Sequence, residues 1–458
     1  MKERGNIRSA WLLGMVGLGV IIAGVYLAVS RFEGRAPTLA LDLETPLIGA
    51  ERKIQVAAAD SRSGLKRVWV GILQNGKELA LLERDFPAAG ILGKGARQRA
   101  TITVTVVPEA LGLEDGKALL RAVAVDGSWR GWGKGNRAYL EQEVVIDTTT
   151  PRISVLSRAH NINPGGAGVV VYRLSETCRR SGVRVNELFY PGAVMDEGGA
   201  AVYVAFFALR HDQEKGTAMH LEAEDRAGNK SQAGFHHYIR GKAFKQDTIR
   251  LSDRFFNWKM PEFEDQIPAS AKSSLLDQFL YVNQTIRREN KKTLDQVTQT
   301  FEKSLLWEGP FGRLPASAPR AAFADQRRYV YQGKTVDQQV HMGVDLASVA
   351  QSPVPAANRG RVVFAGYLGI YGNTIVLDHG LGLFSMYAHL NRFSTEVGQM
   401  VVKDDIIGHT GVSGLAGGDH LHYSMLVHQT FVNPIEWWDA DWIRNNVSSK
   451  LAQVDGGA

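Results

Sequence analysis

Two short words in this chain hold the residue types from which a metal site can be built: His341-Met-Gly-Val-Asp345 and His420-Leu-His422. Seven of the 12 histidines fall between His341 and His428, under a fifth of the 458 residues. Cys178 is the only cysteine, so a disulfide framework and a Cys-rich zinc knuckle are both excluded, and any metal must be held by His and carboxylates. In the first word Val340, Met342, Val344 and Leu346 alternate, which puts His341, Gly343 and Asp345 on the opposite face of an extended segment. Positions four apart in a strand are about 13 Å from each other, too far for two side chains to meet one metal at about 2 Å. The chain must bend, and Gly343 is the residue that permits it. The second word needs no bend. His420 and His422 are about 6.6 Å apart on one strand face, so one imidazole can bind a metal while the other reaches its bound water. Either word alone is common by chance.

Together, in this order and about 75 residues apart, the two words and the sequence between them resemble the lysostaphin-like, or LytM-type, zinc endopeptidases. The likeness runs from His341 to Pro434, through Pro353-Val-Pro-Ala356, Gly360-Arg-Val362, Ala365-Gly366, Tyr371-Gly-Asn373, Asp378-His-Gly380, Tyr387-Ala-His-Leu390, Gly408, Gly411, His420-Leu-His-Tyr423 and Asn433-Pro434. The related D,D-carboxypeptidases space their ligands differently. The resemblance implies a compact antiparallel β domain with a groove floored by Zn2+. It implies His341, Asp345 and His422 as the zinc ligands, with His389 and His420 as the catalytic pair around the metal-bound water. Such a set leaves the open fourth position that a catalytic zinc needs. A zinc-activated water and a polarised carbonyl, with neighbouring imidazoles moving protons or binding the oxyanion, would then hydrolyse a peptide bond. No HExxH glutamate is present, so histidine is the expected base. Tyr371 and Asn373 resemble groove-lining positions. His379, His409 and His428 are expected to be structural or to lie at loops and edges, and Trp437, Trp438 and Trp442 to pack onto the domain. The chain departs from the family's commonest wording at Asp419, before the HxH, and at Ser424, after it; neither is expected to touch a ligand. The stretch Arg313–Gln339 is expected to reshape the groove entrance.

Around this site the chain reads as mainly β, and its length suggests about three domains. Ala10–Ser30 carries no charge and is long enough to cross a bilayer, while Lys2, Arg4 and Arg8 before it favour an inside N-terminus. Residues 1–36 are therefore expected to be a cytoplasmic tip and transmembrane anchor. The rival reading, a cleaved signal peptide, normally has a shorter apolar stretch and an A-x-A-like site. From 37 onward short alternating strands are separated by Gly, Asn and Asp turns. Asp60–Val70 parallels Arg179–Leu188, and Arg121–Asn136 parallels Leu221–Lys230, at a spacing near 100 residues. That fits two immunoglobulin-like β-sandwich modules, 37–147 and 148–242, with the joint at Asp147–Pro151. A helical connector is expected over 243–310. There Ser273 or Ser274 caps a helix with Leu275, Phe279, Val282 and Ile286 on one face and a charged run, Arg287 to Lys292, on the other. The helix, or the Trp307–Phe311 segment after it, either faces solvent or lies over the groove. The peptidase domain spans 311–440 and a C-terminal tail 441–458.

The 44% apolar and 22% charged composition argues against long disorder. A net charge of +6 without a basic run gives no footprint for nucleic acid. The expectation is a single-pass inner-membrane protein, with the bulk of the chain on the periplasmic or extracytoplasmic side. Its substrate is the peptide of peptidoglycan, and its β modules are expected to be a passive spacer between membrane and catalyst, with wall binding as the alternative and other envelope proteins as further candidate partners. The alternative from a different class is a LytM-type regulator that has lost its metal and activates a cell-wall amidase. Here all five metal and catalytic positions are filled.

Overall fold

Strict alternation in Arg52–Ala59 and Arg99–Val106 buries every second side chain. These strands therefore form a sheet with one face toward a core. The computed structural model describes residues 4–87, 97–196 and 201–455, and the described chain is mainly β. It divides into two compact units, 1–150 with 224–230, and 151–223 with 231–458. In the first, a three-stranded sheet (Thr38–Asp42, Arg52–Ala59, Arg99–Val106) and a five-stranded sheet centred on Gly116–Asp126 share one core. Ile54, Val56, Val68, Val70, Ile72 and Leu120 in that core are fully buried.

Arg4–Arg31 forms a helix. Among the described residues no helix is long and apolar enough to cross a membrane, so the anchor expected at Ala10–Ser30 is not supported there. The unbroken run of described side chains, 11–26, is shorter than the about 20 residues that a crossing needs. Lys2 lies outside the described residues, as do the side chains of Arg4 and Arg8.

In the second unit one hydrophobic core runs from Ile162 to Val447. Two four-stranded sheets occupy its N-terminal part, and Val202–Ala208 is buried at every position. Tyr190 is hydrogen-bonded to Thr430 at 2.8 Å, and the Glu436 carboxylate accepts from Asn163 Nδ2 at 2.9 Å and the Ala167 amide at 3.1 Å. Trp437 is fully buried against Phe206, Trp307 and Phe311. The tryptophans thus pack as their apolar bulk requires. Trp307–Phe311 belongs to this packing, and none of its residues lines the cavity over the candidate site.

A separate three-stranded sheet joins β1 (Gln246–Leu251), β2 (Gln326–Tyr331) and β3 (Lys334–Val340); β2 runs parallel to β1 and antiparallel to β3. The connector helix begins where expected. Ser274 accepts from the Asp277 amide at 3.0 Å and caps α1 (Leu275–Tyr281). A π-helical stretch, Val282–Ile286, leads into α2 (Arg287–Val297). Phe279, Val282 and Ile286 are buried, whereas Leu275 is only half-buried. The largest sheet contains, as consecutive neighbours, β4 (Val344–Ala347), β6 (Leu421–Val427) and β5 (Leu383–Phe393). All seven residues of β6 are buried, so its polar side chains, His422 and Ser424, must find partners inside the protein.

Candidate metal centre and active site

Register alone brings the first two donors together. Asp345 on β4 pairs with His422 on β6, and Ala388 on β5 pairs with His422 from the other side. His341 enters between β3 and β4. Its backbone amide donates to Asp325 O at 3.0 Å, its carbonyl accepts from the Ala324 amide at 2.7 Å, and its Nδ1–H donates to Ala322 O at 2.9 Å. Gly343 allows this path for a reason other than a special backbone angle. A Cβ there would lie 2.5 Å from Ser424 Oγ and 2.6 Å from His422 Nε2, so no side chain fits.

Three donor atoms then converge. His341 Nε2 and His422 Nδ1 are each 2.9 Å from Asp345 Oδ1 and 3.0 Å from one another. The three residues are 4%, 4% and 8% exposed for His341, His422 and Asp345. The outer hydrogen bonds fix where the ring protons are. His341 holds its proton on Nδ1 for Ala322, which leaves a bare lone pair on Nε2. The Ser424 hydroxyl donates to Met342 O at 2.8 Å, so it accepts from His422 Nε2–H at 3.0 Å, and His422 Nδ1 is bare. Two lone pairs and a carboxylate pointed at one spot repel each other unless a cation stands between them. Ligand atoms around a tetrahedral zinc lie about 3.3 Å apart, a few tenths of an ångström beyond the spacing seen here. The donor set fits such an ion, and both imidazoles are held from behind, His341 by Ala322 O and His422 by Ser424 Oγ.

The remaining two histidines face the same place. His389 lies on β5 where the pairing register shifts, with a left-handed φ of 61° that is uncommon for a residue with a side chain. Its Nδ1–H donates to Ser413 O at 2.8 Å, which leaves Nε2 without a proton. His420 bridges to Gly411 just before β6, and its Nδ1–H donates to Gly418 O at 2.7 Å. Its Nε2 stands 3.6 Å from Asp345 Oδ1, and its ring centroid is 4.9 Å from that of His389. Burial pushes the Asp345 carboxyl up, but without a metal a protonated His341, with His420 and His422 donating beside it, outweighs burial and holds the group well below the usual carboxylate range. Burial lowers His422 to about 4. It also lowers His389, helped by the neighbouring His420 and His422.

All five expected site residues therefore meet. Tyr371 also lines the cavity, with its ring 5.6 Å from that of His422. Asn373 does not line it; its side chain donates to Leu390 O at 3.0 Å and ties two strands together. His379 is fully buried between Arg359 O and Ser385 Oγ, and burial lowers it to about 4. His409 pairs with Arg392 on an edge. His428 is buried against Phe301 and Tyr190, not at an open edge. Asp419 accepts from Thr410 and the Gln351 amide and touches no ligand. Ser424 is the correction: it contacts His422 directly. The period-2 rule already put it on the face of His420 and His422. Outer partners of this kind are typically worth about 10- to 100-fold in metal affinity. Ser424→Ala is thus expected to weaken the metal by about that factor in a chelator competition. Unchanged affinity would remove Ser424 from the site.

Arg327 on β2 was not foreseen as a site residue. Its Nη2 donates to Asp345 Oδ2 at 2.8 Å, so Oδ1 alone faces the histidines. The segment Arg313–Gln339 thus supplies a guanidinium as well as the carbonyls that hold His341.

Residues 339–434 match peptidase family M23. This part of the chain is an M23, LytM-type, peptidase domain. Over 96 residues it is 38% identical to the DD-carboxypeptidase/endopeptidase Mpg of Neisseria meningitidis serogroup B and 33% identical to the peptidoglycan DD-endopeptidase ShyA of Vibrio cholerae, in each case 21% of this chain and 22% of the relative. The chain thus spans about a fifth of the length of these curated relatives. Among solved structures it is similar to the catalytic domain of lysostaphin from Staphylococcus simulans, at 26% identity and TM-score 0.25, covering 29% of this chain and 98% of that one.

Proposed function

We propose that this chain is a zinc metalloendopeptidase that hydrolyses peptide cross-links of peptidoglycan. The observation that carries the proposal is the convergence of three donor atoms from His341, Asp345 and His422, with His389 Nε2 beside them and His420 Nε2 3.6 Å from Asp345 Oδ1. The named activities of Mpg and ShyA support the choice of substrate. When bound, zinc would supply an activated water and a Lewis acid for the scissile carbonyl. The chain's own residues do the rest. Arg327 holds Asp345 so that one oxygen faces inward, and Ala322 and Ser424 fix the two ligand rings. Carbonyls 413 and 418 pin the Nδ1 protons of His389 and His420. Each of these two rings therefore presents Nε2 to take or return a proton, or to donate to the oxyanion once protonated. Digestion of purified cell wall by the full chain, with products read by mass spectrometry, tests this. Release of peptides cut within cross-links is expected; an intact wall beside a stimulated partner amidase would favour the regulator.

The cellular location belongs to the same proposal. The charge-free run Ala10–Ser30 and its basic flank support an uncleaved anchor, with residues 37–458 outside the cytoplasmic membrane and the β modules available to envelope partners. A reporter fused after residue 40 is expected to be active only outside. Activity only in the cytoplasm would overturn the topology, and a mature chain starting near Arg31 would replace the anchor with a cleaved signal.

A further inference from the structure

Two guanidinium groups line the cavity of about 240 Å3 above the candidate metal group, and the mechanism above leaves most of their donors unused. Arg327 uses Nη2 on Asp345, while its Nε is buried and makes no hydrogen bond. Arg287, the first residue of α2, donates from Nε and Nη2 to the carbonyl and side chain of Asn283. Among the described residues it forms no ion pair. Among the described residues Asp345 is the only carboxylate in the cavity wall, and a bound metal would neutralise it. The wall is thus left with two permanent cations and no free anion, and such a concave site concentrates negative ligands. The planar guanidinium fork also matches a carboxylate in two parallel hydrogen bonds. Neither arginine lies within residues 339–434, so the M23 domain alone does not contain this feature.

We propose that Arg287 and Arg327 form an anion subsite beside the scissile bond, and that the preferred substrate is a peptide with a free carboxylate close to the bond cut. The proposal deepens the peptidase reading and rests on it. A neutral oligoglycine strand would offer no anion to the donors that Arg327 keeps beyond Asp345 and Arg287 beyond Asn283, so it would forgo the charge-assisted bonds that a carboxylate makes there. The carboxylate can come from a C-terminus or from an acidic side chain.

Three synthetic D-Ala-containing peptides separate these cases: one with a free C-terminus, one amidated there but carrying a glutamate, and one with neither carboxylate. Their dissociation constants are read by calorimetry on the zinc-loaded His420→Ala chain, in which Asp345 is neutralised and cleavage is expected to be nearly absent, and KM and kcat are read on the zinc-loaded parent. A charge-assisted hydrogen bond is worth about tenfold or more in affinity. At least one acidic peptide is therefore expected to bind about tenfold more tightly than the neutral one, and which of the two does so identifies the source of the carboxylate. Arg287→Gln is expected to remove that advantage, raising KM for the acidic peptide and leaving kcat nearly unchanged. Arg287→Lys, which keeps the charge, is expected to restore part of it and guards against a folding defect. Equal binding of all three peptides would overturn the subsite even if all are cut. Selective binding without any cleavage would uphold the subsite and defeat the peptidase reading.

Discussion

His389→Ala and His420→Ala are each expected to lower wall cleavage by about 100- to 10,000-fold while the metal content stays at the parent level. The reasoning begins with donor count. His341, Asp345 and His422 already supply the three protein ligands typical of a hydrolytic zinc, and another donor on the ion would fill the position that water needs. His420 Nε2 is 3.6 Å from Asp345 Oδ1, beside the group of donors and not within it. His389 comes from β5, with its Nδ1 bound to Ser413 O and its ring centroid 5.8 Å from that of His422. Loss of a positioned acid or base accounts for the larger factor, and loss of an oxyanion donor for about 100- to 1,000-fold. The φ of 61° at His389 complicates the alanine variant, because Ala adopts that region poorly. His389→Asn tolerates the backbone and lacks a proton-transfer group at pH 7, so it is expected to be equally inactive with native thermal stability. Parent-like rates in these variants would contradict the assigned roles.

Removing a ligand is expected to act on the metal itself. His422→Ala, His341→Ala and Asp345→Ala should each lose most of the bound zinc, against about one per chain in the parent. The loss should not be equal in its structural consequences. His422 and Asp345 lie opposite each other on two buried strands, and Arg327 is tied to Asp345. Asp345→Ala strands the Arg327 guanidinium, which is four-fifths buried at the side chain, and a buried charge without its partner costs about 3–5 kcal/mol. That variant is therefore expected to be the least stable of the three in thermal unfolding. Metal analysis of the purified variants checks the set; zinc retained in His422→Ala would dismiss the ligand assignment.

What the residues revealed in advance follows a physical divide. Side chains with distinctive chemistry at strand or turn spacing were legible: His341, Asp345, His389, His420 and His422 could be found because each must carry its own donor atom. The serine cap at Ser274 and the buried stripe Phe279, Val282 and Ile286 were legible because a helix has a fixed period. The π-helical step from Val282 to Ile286 was not, and it belongs to the turn that leads to Arg287 at the cavity. Backbone carbonyls leave no mark in sequence, so the roles of Ala322, Ser413 and Gly418 emerged only from geometry. Arg327 was hidden differently. It shares the inner face of β2 with the buried Tyr329, a pattern common to any half-buried strand, and only the fold brings it to Asp345. Gly343 was singled out for bending the chain, yet its requirement is the space taken by Ser424 and His422. Tyr190 and Glu436, which tie residues 160–210 to the peptidase domain, are ordinary residues whose importance comes from contacts more than 200 positions away.

Because that core is shared, the most direct test uses the full chain. The metal is stripped with a chelator, zinc is added back in steps, and cleavage of purified peptidoglycan is followed at each step for the parent and for His420→Ala. The account predicts that parent activity rises from near zero and saturates at about one zinc per chain, with bonds broken inside peptide cross-links. His420→Ala is predicted to take up the same zinc and cut almost nothing. Full cleavage by the stripped chain, or a zinc-saturated parent that leaves every cross-link intact, would contradict it.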